Sequence, residues 1–191
     1  IPALLRYDPN SLVHGVFLEE IAGVIRLPRV LTGFIEAADI KTASSGGVKL
    51  NAVEPGLKEG EGNLPYPREE FVSDHIIAYF NLDLAQIRAF GQGRSVTQLL
   101  VTLALYKIQA LLKSGLRLRT ACDLEVKEAG FVVKRPLDFK IPTLAELEAA
   151  LPDLVKAVAD EQKWPQDRVT WVSLEGARKR KKDKAQPAEV N

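Results

Sequence analysis

The sequence contains no methionine, one cysteine and two histidines among its 191 residues. A single cysteine excludes an intramolecular disulfide framework, and we interpret Cys122 as a structural thiol in a reducing compartment. So small a supply of thiols and imidazoles also argues against a zinc site. We therefore expect neither a metal nor a cofactor.

The sequence also shows no signal peptide and no uninterrupted apolar run long enough to cross a membrane. Its most apolar stretch, 95–112, is interrupted by Gln98, Lys107 and Gln109. We therefore predict a cytoplasmic protein with no membrane partner. Because methionine is absent, we expect that Ile1 is not a native translation start and that an N-terminal portion precedes it.

Charge is nearly balanced over the chain, with a formal net charge of +1. Residues 176–191 hold six basic and two acidic side chains, so the rest carries 20 basic and 23 acidic ones. No global basic field indicates nucleic-acid binding, and any such function has to come from local placement. The basic tail is predicted to be disordered and either binds nucleic acid or only aids solubility.

The N-terminal half is predicted to contain a hairpin, a short helix, a long loop and a strand. Apolar runs at 11–18 and 23–27 predict the hairpin, and residues 29–39 have helical spacing. Residues 41–67 are rich in glycine and proline and predict a long loop. The alternation in 75–84 predicts a central strand.

The C-terminal half begins with the best-defined predicted helix, 95–113, with Ser95 and Gln98 as its capping box and Gly115 after its end. Strands are predicted at 115–125 and 130–136. Thr143 and Glu146 predict another helix start, and Pro152 should split that helix into 143–150 and 152–163. A last strand is predicted at 168–175.

This order of elements predicts an α+β fold, an RRM-like or ferredoxin-like palm whose antiparallel sheet carries helices on one face. We expect one domain over residues 1–175, with the inserted loop 41–67, followed by the tail 176–191. Such a fold hosts many activities and does not by itself indicate function.

Several stretches are more specific than the fold, and they follow one another over residues 5–126. They are YDPNSLVHGVFLEE (7–20), RLPRVLTGFIEA (26–37), ASSGGVK (43–49), GNLPYPREEF (62–71), YFNLDLAQIRAFG (79–91) and GLRLRTACDLE (115–125). In these stretches the chain resembles the CRISPR-associated backbone subunit of type I-U (also called I-G) effector complexes, a RAMP-superfamily protein.

The resemblance implies a non-catalytic subunit, copies of which stack along a CRISPR RNA and hold the guide for pairing with target DNA. The implied partners are the CRISPR RNA, the target DNA through the guide, neighbouring copies of the chain and other subunits of the complex. A protein that grips RNA regardless of sequence needs cations for the phosphates and open backbone beside them.

The residues that meet this need lie in three places. The candidate RNA-binding residues are Arg26, Arg29, Lys41, Ser44, Ser45, Gly46, Gly47, Lys49, Arg117 and Arg119. Arg26 and Arg29 would flank the start of the first helix, where backbone N–H groups favour phosphate. Arg117 and Arg119 would share one face of a strand with Asp123 and Glu125.

Each of these features also has a plain structural interpretation. The two arginines and two carboxylates form a surface of salt bridges in that interpretation, and 41–49 is only a mobile loop. Tyr79 either stacks on a base or packs under an inserted loop. His14 and His75 are interpreted as structural.

Two other function classes remain open. A metal-dependent RAMP ribonuclease would use Asp39, although hydrolysis with a divalent metal requires converging carboxylates and Asp39 has no evident companion. A protein–protein module would reach RNA only through its partners, in keeping with a body that is slightly acidic without its tail.

Overall fold

The computed structural model describes residues 1–19, 25–50, 63–118, 123–127, 130–165, 167 and 169–171, with the backbone alone at 45, 48–50 and 63–66. Within these ranges the chain forms five helices and four strands. They are α1 (Pro2–Tyr7), α2 (Asn10–His14), β1 (Val16–Leu18), β2 (Ile25–Leu27), β3 (Leu31–Leu50), β4 (Asn63–Leu82), α3 (Leu84–Ala89), α4 (Arg94–Lys113) and α5 (Leu144–Glu161).

The predicted α+β class is confirmed. Antiparallel strands and several helices make up the chain, an arrangement consistent with a ferredoxin-like α+β fold. The described strands form two separate two-stranded sheets, β1 with β2 and β3 with β4. The helices lie around the base of the β3–β4 sheet and leave most of its length uncovered.

The core lies among the helices and is apolar throughout the described residues, since no polar or charged side chain is buried there. It is built from side chains of α1–α5, the turn after α3, and one residue at the foot of β3. Its members are Leu5, Leu12, Val13, Val30, Ile87, Phe90, Val96, Leu99, Leu100, Ala104 and Val158. Leu31 and Leu82, the first and last residues of the sheet, pack against it.

The helix predicted at 95–113 is confirmed, but its predicted cap is wrong. Gly93, with φ of 91°, is the N-cap and starts the helix before Ser95, which lies inside the first turn. Gly115 follows the end as predicted, with φ of 75°, a left-handed conformation that glycine adopts without strain. The helix packs on α5 and not across a sheet.

By length and composition alone, α4 could cross a membrane, a test that core helices of water-soluble proteins also pass. Six of its side chains are buried within this chain, so its apolar character has an internal explanation.

The capping box at Thr143 and Glu146 is confirmed at the start of α5. The predicted split at Pro152 is wrong, because the helix continues from Leu144 to Glu161. Proline removes one backbone hydrogen bond. The helix packs along α4, and Leu147 and Val158, which lie on either side of the proline, are both buried.

The hairpin near the N-terminus is confirmed in its outer part, where Val16–Leu18 pairs with Ile25–Leu27. Residues 11–14 belong to α2 instead of a strand. Gly15 ends that helix with φ of 82°, and its α-carbon lies so close to Arg29 and Leu27 that an added Cβ would sit 2.9 Å from backbone atoms of both.

The largest correction concerns β3. Residues 29–39 were expected to form a helix and 41–67 a loop, yet Leu31–Leu50 is one strand paired in register with Asn63–Leu82. Residues 51–62 lie outside the described residues. Helical spacing over eleven residues is weak evidence, and pairing with a ready partner strand overrides it.

The strand predicted at 75–84 is confirmed within β4, but it is not central, since its described partner is β3 alone. The strand predicted at 115–125 is reduced to one isolated antiparallel bridge between Leu116 and Leu124, and described residues 130–136 form no strand. Residues 169–171 carry no strand, and the rest of 168–175 and the tail 176–191 lie outside the described residues.

Candidate nucleic-acid interface

The β3–β4 pair, called the ribbon below, holds six of the ten predicted RNA-binding residues. Its two strands have 20 residues each, which corresponds to a length of about 65 Å. The ribbon begins at a well-fixed base. There the Val30 N–H donates to the Val13 carbonyl at 3.0 Å, and the Asp83 N–H donates to the Val30 carbonyl at 2.8 Å.

Arg26 and Arg29 lie beside this base and are exposed. Arg26 is the middle residue of β2, opposite Phe17, and Arg29 lies in the connection to β3. The expectation that they flank a helix start is wrong, because a strand follows them. Their guanidinium groups therefore present charge on their own, without the backbone N–H groups of a helix N-terminus.

Lys41, Ser44, Ser45, Gly46, Gly47 and Lys49 lie along the outer half of β3. Lys41 stands ten residues beyond the start of the strand, which places it roughly 30 Å from the base. The structure thus separates the predicted residues into a basal group at Arg26 and Arg29 and an outer group from Lys41 to Lys49. One nucleotide cannot contact both groups.

The outer group has open backbone but little excess charge. Lys41 Nζ lies 3.3 Å from Asp74 Oδ2, and Arg68 Nε lies 2.9 Å from Glu70 Oε1, both at exposed positions. Around Gly46 an added Cβ would meet no atom within 4 Å, so another molecule can approach that backbone closely. Exposed ion pairs of this kind contribute little stability and can be exchanged for phosphate contacts.

Arg117 is exposed and follows directly after the Leu116–Leu124 bridge. The single strand expected to carry Arg117, Asp123 and Glu125 is not formed, because Leu116 pairs antiparallel with Leu124. Arg119 lies outside the described residues, as does Cys122.

An exposed apolar surface was not predicted from the sequence. We call it the stalk and define it as residues 31–38 and 75–82 of the ribbon. Five of its large apolar side chains are uncovered, and they lie on both faces: Phe34, Ile35, Ile76, Ile77 and Tyr79 are all exposed. Neither strand of the stalk contains a lysine or an arginine. The alternation of 75–84 was the available signal, but it was interpreted as a strand with one buried face.

Aromatic rings order the stalk. Phe34 and Tyr79 face each other across the strands and stack with ring centroids 4.7 Å apart and an interplanar angle of 24°. Phe80 lies over Gly33, where an added Cβ would sit 2.9 Å from the ring. Tyr79 thus has an aromatic partner from β3 while 39% of it stays exposed.

The middle of the ribbon, just beyond the stalk, holds the residue nominated for metal-dependent catalysis. Asp39 has φ of 53°, an uncommon conformation for a residue with a side chain, and its Oδ2 lies 3.6 Å from His75 Nδ1. Within the described ranges, no group of three or more histidine, cysteine or acidic side chains could hold a metal ion. The described residues therefore provide no observation that favours the ribonuclease hypothesis.

Comparison with known protein families gives a match at the N-terminal end of the chain. Residues 1–42 match the family described as CRISPR-associated protein GSU0053 (Cas_GSU0053). No curated protein matches the chain. The matched segment contains Arg26, Arg29 and Lys41 and ends inside β3. In its first 42 residues the chain is thus similar to a CRISPR-associated family, which supports a CRISPR-related role.

Proposed function

We propose that the chain is a non-catalytic CRISPR RNA-binding backbone subunit of the RAMP superfamily, acting in a type I-U or I-G effector complex. Copies of it line the guide RNA, which pairs with target DNA, and the complex works in the cytoplasm. The observation that carries this proposal is the ribbon, a strand pair about 65 Å long that extends from the helical body, formed by α1–α5. Several apolar side chains of the ribbon are uncovered.

The basal group supports a sequence-indifferent grip on RNA. Arg26 and Arg29 are exposed side chains on backbone that is tied to the core through Val30. Cations in fixed positions bind phosphates without reading bases, and a subunit that carries many different guides needs such contacts. Small residues on the outer half of β3 add backbone that a nucleic acid can approach.

The stalk supports assembly. A surface with exposed aromatic and aliphatic side chains and no lysine or arginine has nothing to offer phosphates, and apolar patches of this kind mark protein contacts. We assign the stalk to neighbouring copies of the chain. A subunit that offers different faces to its two neighbours generates open arrays, as a row along a guide RNA requires.

A second candidate, a protein–protein module that reaches RNA through partners, is favoured by one observation. The cations Lys41 and Arg68 in the outer half of the ribbon are each paired with a carboxylate. If those pairs persist in the working complex, the ribbon binds protein along its whole length and RNA is held elsewhere.

The experiment that separates the two candidates is binding of the chain to unrelated single-stranded RNAs over a salt series. The variant is Arg26→Ala/Arg29→Ala. Its control is Arg88→Ala/Arg94→Ala, which removes the same charge from exposed positions on the helical body. We expect affinity that is indifferent to sequence and falls with salt, with a shallower salt slope in the first variant only.

Equal slopes in both double variants would show that the basal arginines do not contact phosphate. Absence of RNA binding by the unaltered chain would contradict the first candidate for the chain alone and support the protein–protein module.

A further inference from the structure

A lysine and a histidine outside the ribbon form a close pair between two helices. Lys107 projects from the middle of α4, and His14 is the last residue of α2. Lys107 Nζ lies 2.8 Å from His14 Nε2. Lys107 is half-buried and His14 exposed, so small molecules can reach the pair from solvent.

When Lys107 is charged, its contact with His14 fixes the proton arrangement of both groups. A lysine ammonium is only a donor, so the bond requires that His14 Nε2 carry no proton and accept through its lone pair. The imidazole is then neutral with its proton on Nδ1. A neutral imidazole nitrogen at hydrogen-bonding distance from an ammonium is placed as a general base for that ammonium.

The surroundings favour the neutral forms of both groups. Burial lowers the pKa of Lys107. Burial, followed by the charge of Lys107, lowers the pKa of His14. The opposing charge is Asp8, in the connection between α1 and α2, which raises both pKa values by a lesser amount. Asp8 is itself engaged, because it accepts a hydrogen bond from the Ser11 hydroxyl at 2.5 Å.

We propose that Lys107 is a site of covalent acylation by acyl phosphates, with His14 as its general base. His14 Nε2 takes one proton from the ammonium, and the freed amine attacks the carbonyl carbon of the acyl phosphate. A C–N bond forms as the C–O bond to phosphate breaks. The phosphate leaves with the electron pair and takes the second nitrogen proton, and His14 returns its proton to water.

The product is a neutral amide where a cation stood, so the modification acts on the contact between α2 and α4. That contact adjoins the base of the ribbon, since Val13 of α2 accepts the Val30 N–H. This inference rests on the helical body alone and is independent of the proposed function.

The test is acylation of the full chain by acetyl phosphate, with the rate at each lysine followed by peptide mass spectrometry. Lys113 is the internal reference, because it lies on the same helix and is exposed. The variant is His14→Gln, which keeps a hydrogen-bond acceptor at an exposed position but removes the base. Acetylation of Lys107 should be about tenfold faster than that of Lys113, and His14→Gln should abolish this difference.

The rate at Lys113 should be unchanged by His14→Gln, and the circular dichroism spectrum verifies that the variant is folded. A Lys107 rate no higher than that of Lys113 in the unaltered chain would overturn the proposal. So would a fast Lys107 rate that survives His14→Gln, because the imidazole would then take no part.

Discussion

The helical body buries its large apolar side chains, whereas the ribbon leaves many of its own exposed. In the body, large side chains such as Leu5, Leu12 and Leu100 are fully buried. In the stalk, Phe34 is 61% exposed although it lies only four residues after the buried Val30. Burial of apolar surface is the main favourable term in folding, so the buried side chains of the helical body stabilise its own fold. Under the proposed function, the exposed apolar surface of the stalk contacts a neighbouring copy of the chain.

The largest expected effect comes from shortening a buried leucine of the helical body, compared with the same change at an exposed position of the same helix. Leu100→Ala removes a fully buried side chain from α4 and should lower the free energy of unfolding by about 2–5 kcal/mol. Leu111→Ala makes the same chemical change at a half-exposed position of the same helix and should cost about 0.5 kcal/mol. Denaturant unfolding monitored by circular dichroism measures both. Equal losses would contradict the placement of the core.

A glycine pair probes the ribbon in the same way. Gly33→Ala places a Cβ 2.9 Å from the Tyr79 carbonyl oxygen and the Phe80 ring, and should destabilise the stalk by roughly 1–3 kcal/mol. Gly46→Ala enters open space and should change stability by less than about 0.5 kcal/mol. Amide hydrogen exchange in residues 31–38 measures the effect. Unchanged exchange in Gly33→Ala would mean that the stalk strands do not pair as described.

The aromatic stack tests whether the stalk has order of its own. A double-mutant cycle with Phe34→Ala and Tyr79→Ala should give a coupling energy of about 0.5–1.5 kcal/mol in the isolated chain. Denaturant unfolding of the two single variants and the double variant supplies it. A coupling of zero would show that the rings stack only when a partner holds them.

The smallest effect concerns the start of α5 and depends on pH. The hydrogen bond from the Thr143 backbone N–H, followed by that from its hydroxyl, lowers the pKa of Glu146 below 4.5. A lowered folded-state pKa gives stability that is present above pH 4.5 and is lost as pH falls through the folded value.

The melting temperature should therefore fall more between about pH 5 and about pH 3 in the unaltered chain than in Glu146→Gln. The glutamine keeps an acceptor for Thr143 but does not titrate in this range. Parallel melting curves in the two proteins would contradict the capping box.

Local signals predicted the helical body well. Gly115 and the Thr143–Glu146 capping box are short-range features whose geometry depends on a few neighbouring residues, and both are confirmed. The cap of α4 was assigned to Ser95 because serine is a frequent N-cap. In the structure the N-cap is Gly93, and its φ of 91° could not be read from the sequence.

The ribbon could not be predicted in the same way, because strand pairing joins residues far apart. The helical spacing of Val30, Phe34 and Ala37 is accidental. Phe34 stacks on Tyr79 across the strands, and Val30 is buried in the core. Glycine and serine at 44–47 suggested a loop, yet they continue the pairing with β4. Long-range pairing therefore outweighed the local pattern.

The candidate site shows the same division. Arg26 and Arg29 were identified as exposed cations from sequence, but the helix expected beside them is a strand. The apolar stalk was missed entirely, because exposure of Phe34 and Tyr79 follows from the absence of any third layer over the described ribbon. A sequence pattern shows which side chains share a face, but not whether that face is covered.

The most direct test of the central claim, that the ribbon is the binding element and the helical body its support, is hydrogen exchange of the chain with and without unrelated single-stranded RNA. Phosphate contacts should slow exchange in residues 25–29 and 41–50, and contacts between copies assembled on the RNA should slow it in the stalk. Exchange in α4 and α5 should stay unchanged. Unchanged exchange along the ribbon while RNA is bound, or protection confined to α4 and α5, would contradict this claim.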